Sequence, residues 1–216
     1  MLTSAQRDFL DLLMARQALK FGDFTLKSGR KSPYFVNTGC FNRGSDIAKL
    51  GMAYADAIRR AFGDGVEVVF GPAYKGIPLA LGAAQAYEQL VGHEVGWAYD
   101  RKEAKDHGDG GAFVGAPLTA GRQVVVVDDV ITAGTAVRET MAKLAPLKLA
   151  VRGVVVAVDR QEKGTGAMTA VQELSQEFGV PVVATITITE AADHLVAEKR
   201  LTAVDRERIR AHLLGG

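Results

Sequence analysis

The run Val124-Val125-Val126-Val127-Asp128-Asp129 constrains this chain more than any other stretch. Four consecutive β-branched apolar residues suit a strand buried on both faces of a parallel sheet, where polar and apolar positions no longer alternate. The run stops at two adjacent carboxylates, and Val130-Ile131-Thr132-Ala133-Gly134-Thr135-Ala136 follows before a helical pattern begins. In open α/β sheets, ligands sit beyond the carboxyl ends of the strands. There the Thr/Ala/Gly turn offers backbone N–H groups, two hydroxyls and a helix N-terminus, a set that suits a phosphate. Carboxylates repel a phosphate, so Asp128 and Asp129 need a different role, either accepting hydrogen bonds from sugar hydroxyls or holding a cation. The segment reads as a grip on both ends of a phosphorylated sugar.

The rest of the pattern supports such a strand. Thr3 or Ser4 suits the N-cap of a first helix carrying Phe9, Leu12, Leu13 and Leu19, with Gly22 as its stop. Short strands are expected at 24–26 and 34–36 around a turn, and a second helix over about 45–62. Strands at 66–70, 94–99, 124–127, 150–158 and 182–187 then alternate with helices near 77–91, 135–145 and 167–178, and helices close the chain. Such alternation predicts right-handed βαβ units and a mostly parallel sheet flanked by helices, in a single α/β domain of 216 residues.

Composition narrows the function classes. A net charge of +1 gives no support to a nucleic-acid surface. The single Cys40 cannot form an internal disulfide, and no Cys/His cluster suggests zinc. The N-terminus carries acids and lacks an apolar signal core, and no apolar run approaches the ~20 residues that span a bilayer. A cytoplasmic enzyme without membrane or nucleic-acid partners is expected.

Further loops belong on the same sheet edge. Gly71-Pro72-Ala73-Tyr74-Lys75-Gly76 lies between a predicted strand and helix, where Lys75 and close backbone amides suit a second phosphate group such as a diphosphate. It is not a P-loop, because Ile77 stands where the final Lys-Ser/Thr would begin, and neither a G-x-G-x-x-G fingerprint nor a G-x-S-x-G elbow is present. Residues 101–111 hold Arg101, Lys102, Lys105 and His107 and end in three glycines near Asp109, which reads as a mobile cationic surface loop. Arg160 follows another buried run and suits bidentate pairing with a carboxylate. Lys27 and Phe35 offer a charge and an aromatic platform for a planar ring. Cys40, His93, Trp97 and His212 read as structural or solvated.

Together these residues resemble the type I phosphoribosyltransferase family, and within it the branch that uses orotate. The segment 124–136 matches the family's phosphoribosyl diphosphate (PRPP) motif. The narrower likeness rests on Leu26-Lys27-Ser28-Gly29-Arg30 with Ser32-Pro33-Tyr34-Phe35, on 71–76, on Arg101-Lys102-Glu103-Ala104-Lys105-Asp106-His107-Gly108, and on Arg160. The resemblance implies transfer of phosphoribose from PRPP to N1 of orotate, giving orotidine 5′-monophosphate and diphosphate, with Mg²⁺ held mainly by diphosphate oxygens and water. It implies that Val130, Ile131, Thr132, Ala133, Gly134, Thr135 and Ala136 hold the 5′-phosphate, and Asp128 and Asp129 the ribose hydroxyls. Lys27, Tyr74, Lys75, Arg101, Lys102, Lys105 and His107 would serve PRPP, with Lys102, Lys105, His107 and the two acids counted as catalytic. Lys27, Tyr34, Phe35, Thr132 and Arg160 would bind orotate, under a small hood formed mainly within 1–62 over an α/β core of about 63–216. A homodimer is implied too, with loop 101–111 completing the neighbouring site. Lys31 departs from the family pattern without touching an assigned residue. Two other readings stay open: a phosphoribosyltransferase for another base, and a non-catalytic PRPP sensor, which would usually carry a basic face or DNA-binding extension.

Overall fold

The computed structural model describes every residue except 26–28, 103–110, 132–133, 164–165, 167 and 216. Helix α1 (Ser4–Ala15) leads into a hairpin of β1 (Leu19–Thr25) and β2 (Lys31–Val36), and α2 (Gly44–Phe62) carries the chain under the main sheet. Then follow β3 (Val68–Phe70), α3 (Gly76–Val91), β4 (Gly96–Asp100), β5 (Phe113–Gly115), β6 (Gln123–Asp128) and α4 (Thr135–Leu144). The chain continues through β7 (Ala150–Asp159), α5 (Ala170–Phe178), β8 (Val182–Thr187), α6 (Ile188–Ala197) and α7 (Ala203–Gly215). Reciprocal capping boxes start three helices: Thr3 with Gln6, Thr169 with Gln172 and Thr187 with Glu190. In each, two N–H groups that the helix leaves orphaned find side-chain acceptors.

The main sheet runs β5-β4-β3-β6-β7-β8, parallel throughout except for the antiparallel β4–β5 pair. Alternation along the strands divides the valines between two layers. Val69, Val125, Val127 and Val155 join the core formed with α1, α2, α3 and α6, while Val68, Val124, Val126, Val154 and Val156 face Val137 and Leu144 of α4 and Leu174 of α5. Each such side chain, fully removed from water, contributes roughly 1.5–3 kcal/mol. The run of four valines is thus explained by helices on both faces. The β1–β2 hairpin forms a separate two-stranded sheet, while Phe9, Leu13, Tyr54 and Ile58 of α1 and α2 lie in the main core.

One element ends earlier than its periodicity suggested. Helix α1 stops at Ala15, Gln17 takes a left-handed φ of 54°, and Leu19 opens β1 rather than closing the helix. Gly22, with φ 146°, lies inside that strand and is not a helix stop. Leu19 is buried either way, so apolar spacing alone could not separate the two. Strand β5 was not foreseen; three residues at a sheet edge carry too little pattern.

Strand order also selects the ligand site. From β3 the chain moves to β4 and β5 on one side, then returns to lay β6 against the other side of β3. Loops leaving β3 and β6 therefore diverge and open a crevice at this switch point. Helices α2 and α3 close its back, and Gly51 lets their backbones touch: a Cβ there would stand 2.4 Å from the Gly82 carbonyl oxygen. Gly51→Ala is expected to lower stability by about 1–3 kcal/mol through overpacking, read from urea unfolding. Gly44→Ala, at an open position of the same helix, should be neutral or slightly stabilising.

Candidate active site

The loop after β3 is built by two glycines in backbone contact. A Cβ on Gly71 would lie 2.0 Å from the Gly76 carbonyl oxygen, and one on Gly76 would lie 2.6 Å from the Gly71 carbonyl carbon. The loop is tied down at Gly76, whose N–H donates to the Pro72 carbonyl at 2.9 Å, and at Ala73, whose N–H donates to Asp100 Oδ1 at 2.8 Å. Asp100 ends β4 almost fully buried, and its other oxygen accepts from Lys143 of α4. Pinned so, the loop presents Tyr74 and Lys75 exposed over the crevice. Nothing at sequence level singled out Asp100, although an acid ending an apolar run at the same sheet edge is the kind of signal that 128–129 gave.

Asp128 and Asp129 stand at the end of β6, directly across the crevice. Asp129 Oδ2 accepts from Lys75 Nζ at 2.9 Å and from Thr38 Oγ1 at 2.9 Å, and its Oδ1 accepts from the Val130 N–H at 2.7 Å. Burial works to raise its pKa, but Lys75, the Val130 N–H and Thr38 together outweigh burial and hold it below the usual carboxylate range. Asp128 is only 9% exposed, and among the described residues no cation is bonded to it, Lys75 acting on it only at a distance. Burial first, and then the charge of Asp129, lift its pKa to about 6, against the N–H of Asp129 that donates to its Oδ1 at 2.9 Å. Two neighbouring carboxyls in unlike surroundings thus separate into one held ionised and one whose pKa burial lifts toward neutrality. Tyr54 of α2 fixes the backbone between them, donating to the Asp128 carbonyl at 2.6 Å. Thr38 and Tyr54 were missed by sequence reasoning, since neither belongs to a motif and each reaches the acids only through the fold.

Beyond the acids, α4 begins at Thr135 with Gly134 as its N-cap, in a left-handed conformation of φ 73° and without a capping side chain. A Cβ on Gly134 would also meet Leu174 at 2.9 Å, so glycine is required twice over. The first turn holds no acid, Thr135 and Ala136 are exposed, Val130 is half-buried and Ile131 buried. Among the described residues no side chain caps the N–H groups that start this helix, an arrangement that suits an anion. Thr132 and Ala133 lie outside the described residues, as do Lys27, Lys105 and His107.

A third group of residues gathers at the end of β7. Arg160 lines a cavity of about 110 Å³ together with Ile131, Asp159 and Glu162, which joins it to the turn behind the acids. Phe35 is 38% exposed on the hairpin, whereas its neighbour Tyr34 is fully buried. Of these two neighbours expected at the base, Tyr34 therefore turns its ring inward and Phe35 turns its ring outward. Period-2 alternation explains the difference, since adjacent residues of β2 face opposite sides. Arg101 and Lys102 follow β4 at the same sheet edge, where the Arg101 N–H donates to the Ala112 carbonyl at 2.7 Å and closes the stem of the cationic segment.

The comparisons with known proteins agree with this geometry. The phosphoribosyl transferase domain family matches residues 40–182. That match, the parallel sheet and the acidic pair before an uncapped helix define a type I phosphoribosyltransferase. Orotate phosphoribosyltransferase of Erwinia tasmaniensis is 47% identical over 207 residues, covering 96% of this chain and 95% of the relative. That of Pseudomonas fluorescens is 49% identical over 197 residues, covering 91% of each. The crystal structure of orotate phosphoribosyltransferase from Francisella tularensis superposes with a TM-score of 0.83 at 36% identity, covering 96% of this chain and 98% of that one. The chain belongs to the orotate phosphoribosyltransferase family.

The shifted carboxyl has a thermodynamic signature. Folding favours protonated Asp128, because its pKa rises from 3.8 unfolded to about 6 folded. The stabilisation is complete below about pH 4 and is lost as pH rises through about 6, a difference of up to ~3 kcal/mol. Asp128→Asn should flatten this part of the stability–pH curve and make the protein more stable than wild type at pH 8. Chemical unfolding across pH 4–8 checks this, and parallel curves for the two proteins would contradict it.

Proposed function

We propose that this chain transfers the 5-phosphoribosyl group of PRPP to N1 of orotate, giving orotidine 5′-monophosphate and diphosphate in pyrimidine biosynthesis. The observation that carries the reading is the shared crevice of the acidic pair and the open start of α4. Only a ligand with hydroxyls at one end and a phosphate at the other uses both. The loop 71–76 and the stem at Arg101 add cations on the side where a diphosphate would lie.

The chemistry asks for little else. The C1–O bond to diphosphate breaks, the bond from C1 to orotate N1 forms, and the N1 proton is released. Positive charge grows on the ribose ring while negative charge leaves with the diphosphate. Asp129, ionised and held by Lys75, Thr38 and the Val130 N–H, orients the ribose hydroxyls beside Asp128 and faces the growing positive charge. Lys75 is largely exposed, so it is free to leave Asp129 for the diphosphate, where Tyr74, Arg101, Lys102, Lys105 and His107 join it. Residues 130–136 take the 5′-phosphate, and Phe35, Arg160, Lys27 and Thr132 receive orotate. No protein nucleophile is involved.

Among the described residues no three His, Cys, Asp or Glu side chains are placed to share a metal ion. The two site carboxylates are hard oxygen donors that suit Mg²⁺, provided that diphosphate oxygens and water complete the shell. When bound, the ion supplies neutralisation of charge on the departing diphosphate. In this reading the enzyme is a cytoplasmic homodimer in which residues 101–111 of each subunit serve the neighbour's site.

Orotate consumption on mixing with PRPP and Mg²⁺ tests the proposal: loss of orotate is expected, chelator should stop it, and adenine or hypoxanthine should not replace orotate. No loss of orotate under these conditions would refute it. Lys105→Ala should lower kcat by about a hundredfold while leaving orotate affinity nearly intact. An unchanged kcat would remove that lysine from the mechanism.

A further inference from the structure

An arginine recognises a carboxylate through two parallel N–H donors only when the plane of its guanidinium is fixed. Arg160 sits one residue beyond β7, on a long side chain with many rotamers, and is held by Glu162 two positions on and by Tyr34 from the distant β2. Its Nη2 donates to Glu162 Oε1 at 2.6 Å. The same oxygen accepts from the Tyr34 hydroxyl at 2.6 Å, and that hydroxyl also lies 3.0 Å from the Arg160 carbonyl oxygen. The guanidinium carbon stands 5.9 Å from the centre of the Tyr34 ring, within cation–π range.

The bracket has a second layer. His212 of α7 packs edge-on against the Tyr34 ring at 5.9 Å, and Arg30 Nη2 lies 2.9 Å from His212 Nε2. A guanidinium has no acceptor, so Nε2 accepts and His212 is neutral with its proton on Nδ1. Arg30 also lies 3.8 Å from Glu162 Oε2. One carboxylate thus faces two guanidinium groups and cannot fully neutralise both. Arg160 Nε is buried and has no hydrogen-bond partner among the described residues. A buried N–H of this kind is costly to leave unmet, and Arg160 lines the cavity shared with Ile131.

We propose that Tyr34 and Glu162 are positioning residues that hold the Arg160 guanidinium in place for the carboxylate of the incoming base, with α7 bracing them through His212. Glu162 anchors Nη2 and so sets the plane of the guanidinium. Tyr34 fixes Glu162 and lies beside the guanidinium. The proposal rests on the reading that Arg160 receives orotate.

Steady-state kinetics of Arg160→Ala, Glu162→Ala, Glu162→Gln and Tyr34→Phe, each with KM for orotate and for PRPP, test it. Arg160→Ala and Glu162→Ala should raise the orotate KM by about tenfold or more, with the PRPP KM nearly unchanged. Glu162→Gln keeps an acceptor for both donors and should recover most of that loss. Tyr34→Phe, which conserves the ring, should give a smaller rise in the same parameter. These two mild variants keep the test decisive if Glu162→Ala fails to fold. If Arg160→Ala raises the orotate KM while Glu162 and Tyr34 variants leave it unchanged or lower it, the positioning role is wrong and the reading of Arg160 stands. If Arg160→Ala itself leaves the orotate KM unchanged, both fall.

Discussion

Two adjacent carboxylates at the end of a strand buried on both faces are expensive to keep, and much of the surrounding structure answers that demand. Lys75 comes from the loop after β3, Thr38 from the turn after β2, and Tyr54 from α2. Each belongs to a different element, so the acids are held only when the hairpin, the helix layer and the sheet are all in place. The outcome is unequal: Asp129 is stabilised as an anion, while burial lifts the pKa of Asp128 to about 6. A site that must accept hydroxyls and tolerate a passing positive charge gains from a carboxylate that its surroundings hold ionised beside one that burial makes easier to protonate.

The crevice itself follows from strand order. Laying β6 against β3 after the chain has gone out to β4 and β5 makes neighbouring loops part company. Glycine then decides how closely the backbone can approach a ligand. Gly71 and Gly76 fold one loop onto itself, and Gly134 turns the chain into α4 against Leu174. Asp100 links the two sides by holding the 71–76 loop through Ala73 and α4 through Lys143.

The central strand, the turn behind it and the alternating helices were legible in the sequence because each depends on local periodicity and composition. Apolar spacing misplaced Leu19, since burial in a helix and in a strand look alike over one turn. Phe35 and Tyr34 show a similar limit: a motif placed both at the base-binding end, and only the register of β2 decided which one faces outward. Thr38, Tyr54 and Glu162 carried no sequence signal of function, and Asp100 only the weak one of an acid ending an apolar run. Their partners lie 91, 74, 43 and 128 positions away for the bonds to Asp129, Asp128, Lys143 and Tyr34. Such contacts are products of topology, and no local window contains them.

The central physical claim is that the acidic pair and the start of α4 hold opposite ends of one phosphoribosyl group. A crystal structure of the protein with PRPP bound measures this directly. The ribose hydroxyl oxygens should lie within about 2.5–3.0 Å of carboxylate oxygens of Asp128 and Asp129, with the 5′-phosphate on the backbone N–H groups that open α4. A PRPP molecule bound in reverse, or with its ribose away from both acids, would contradict it.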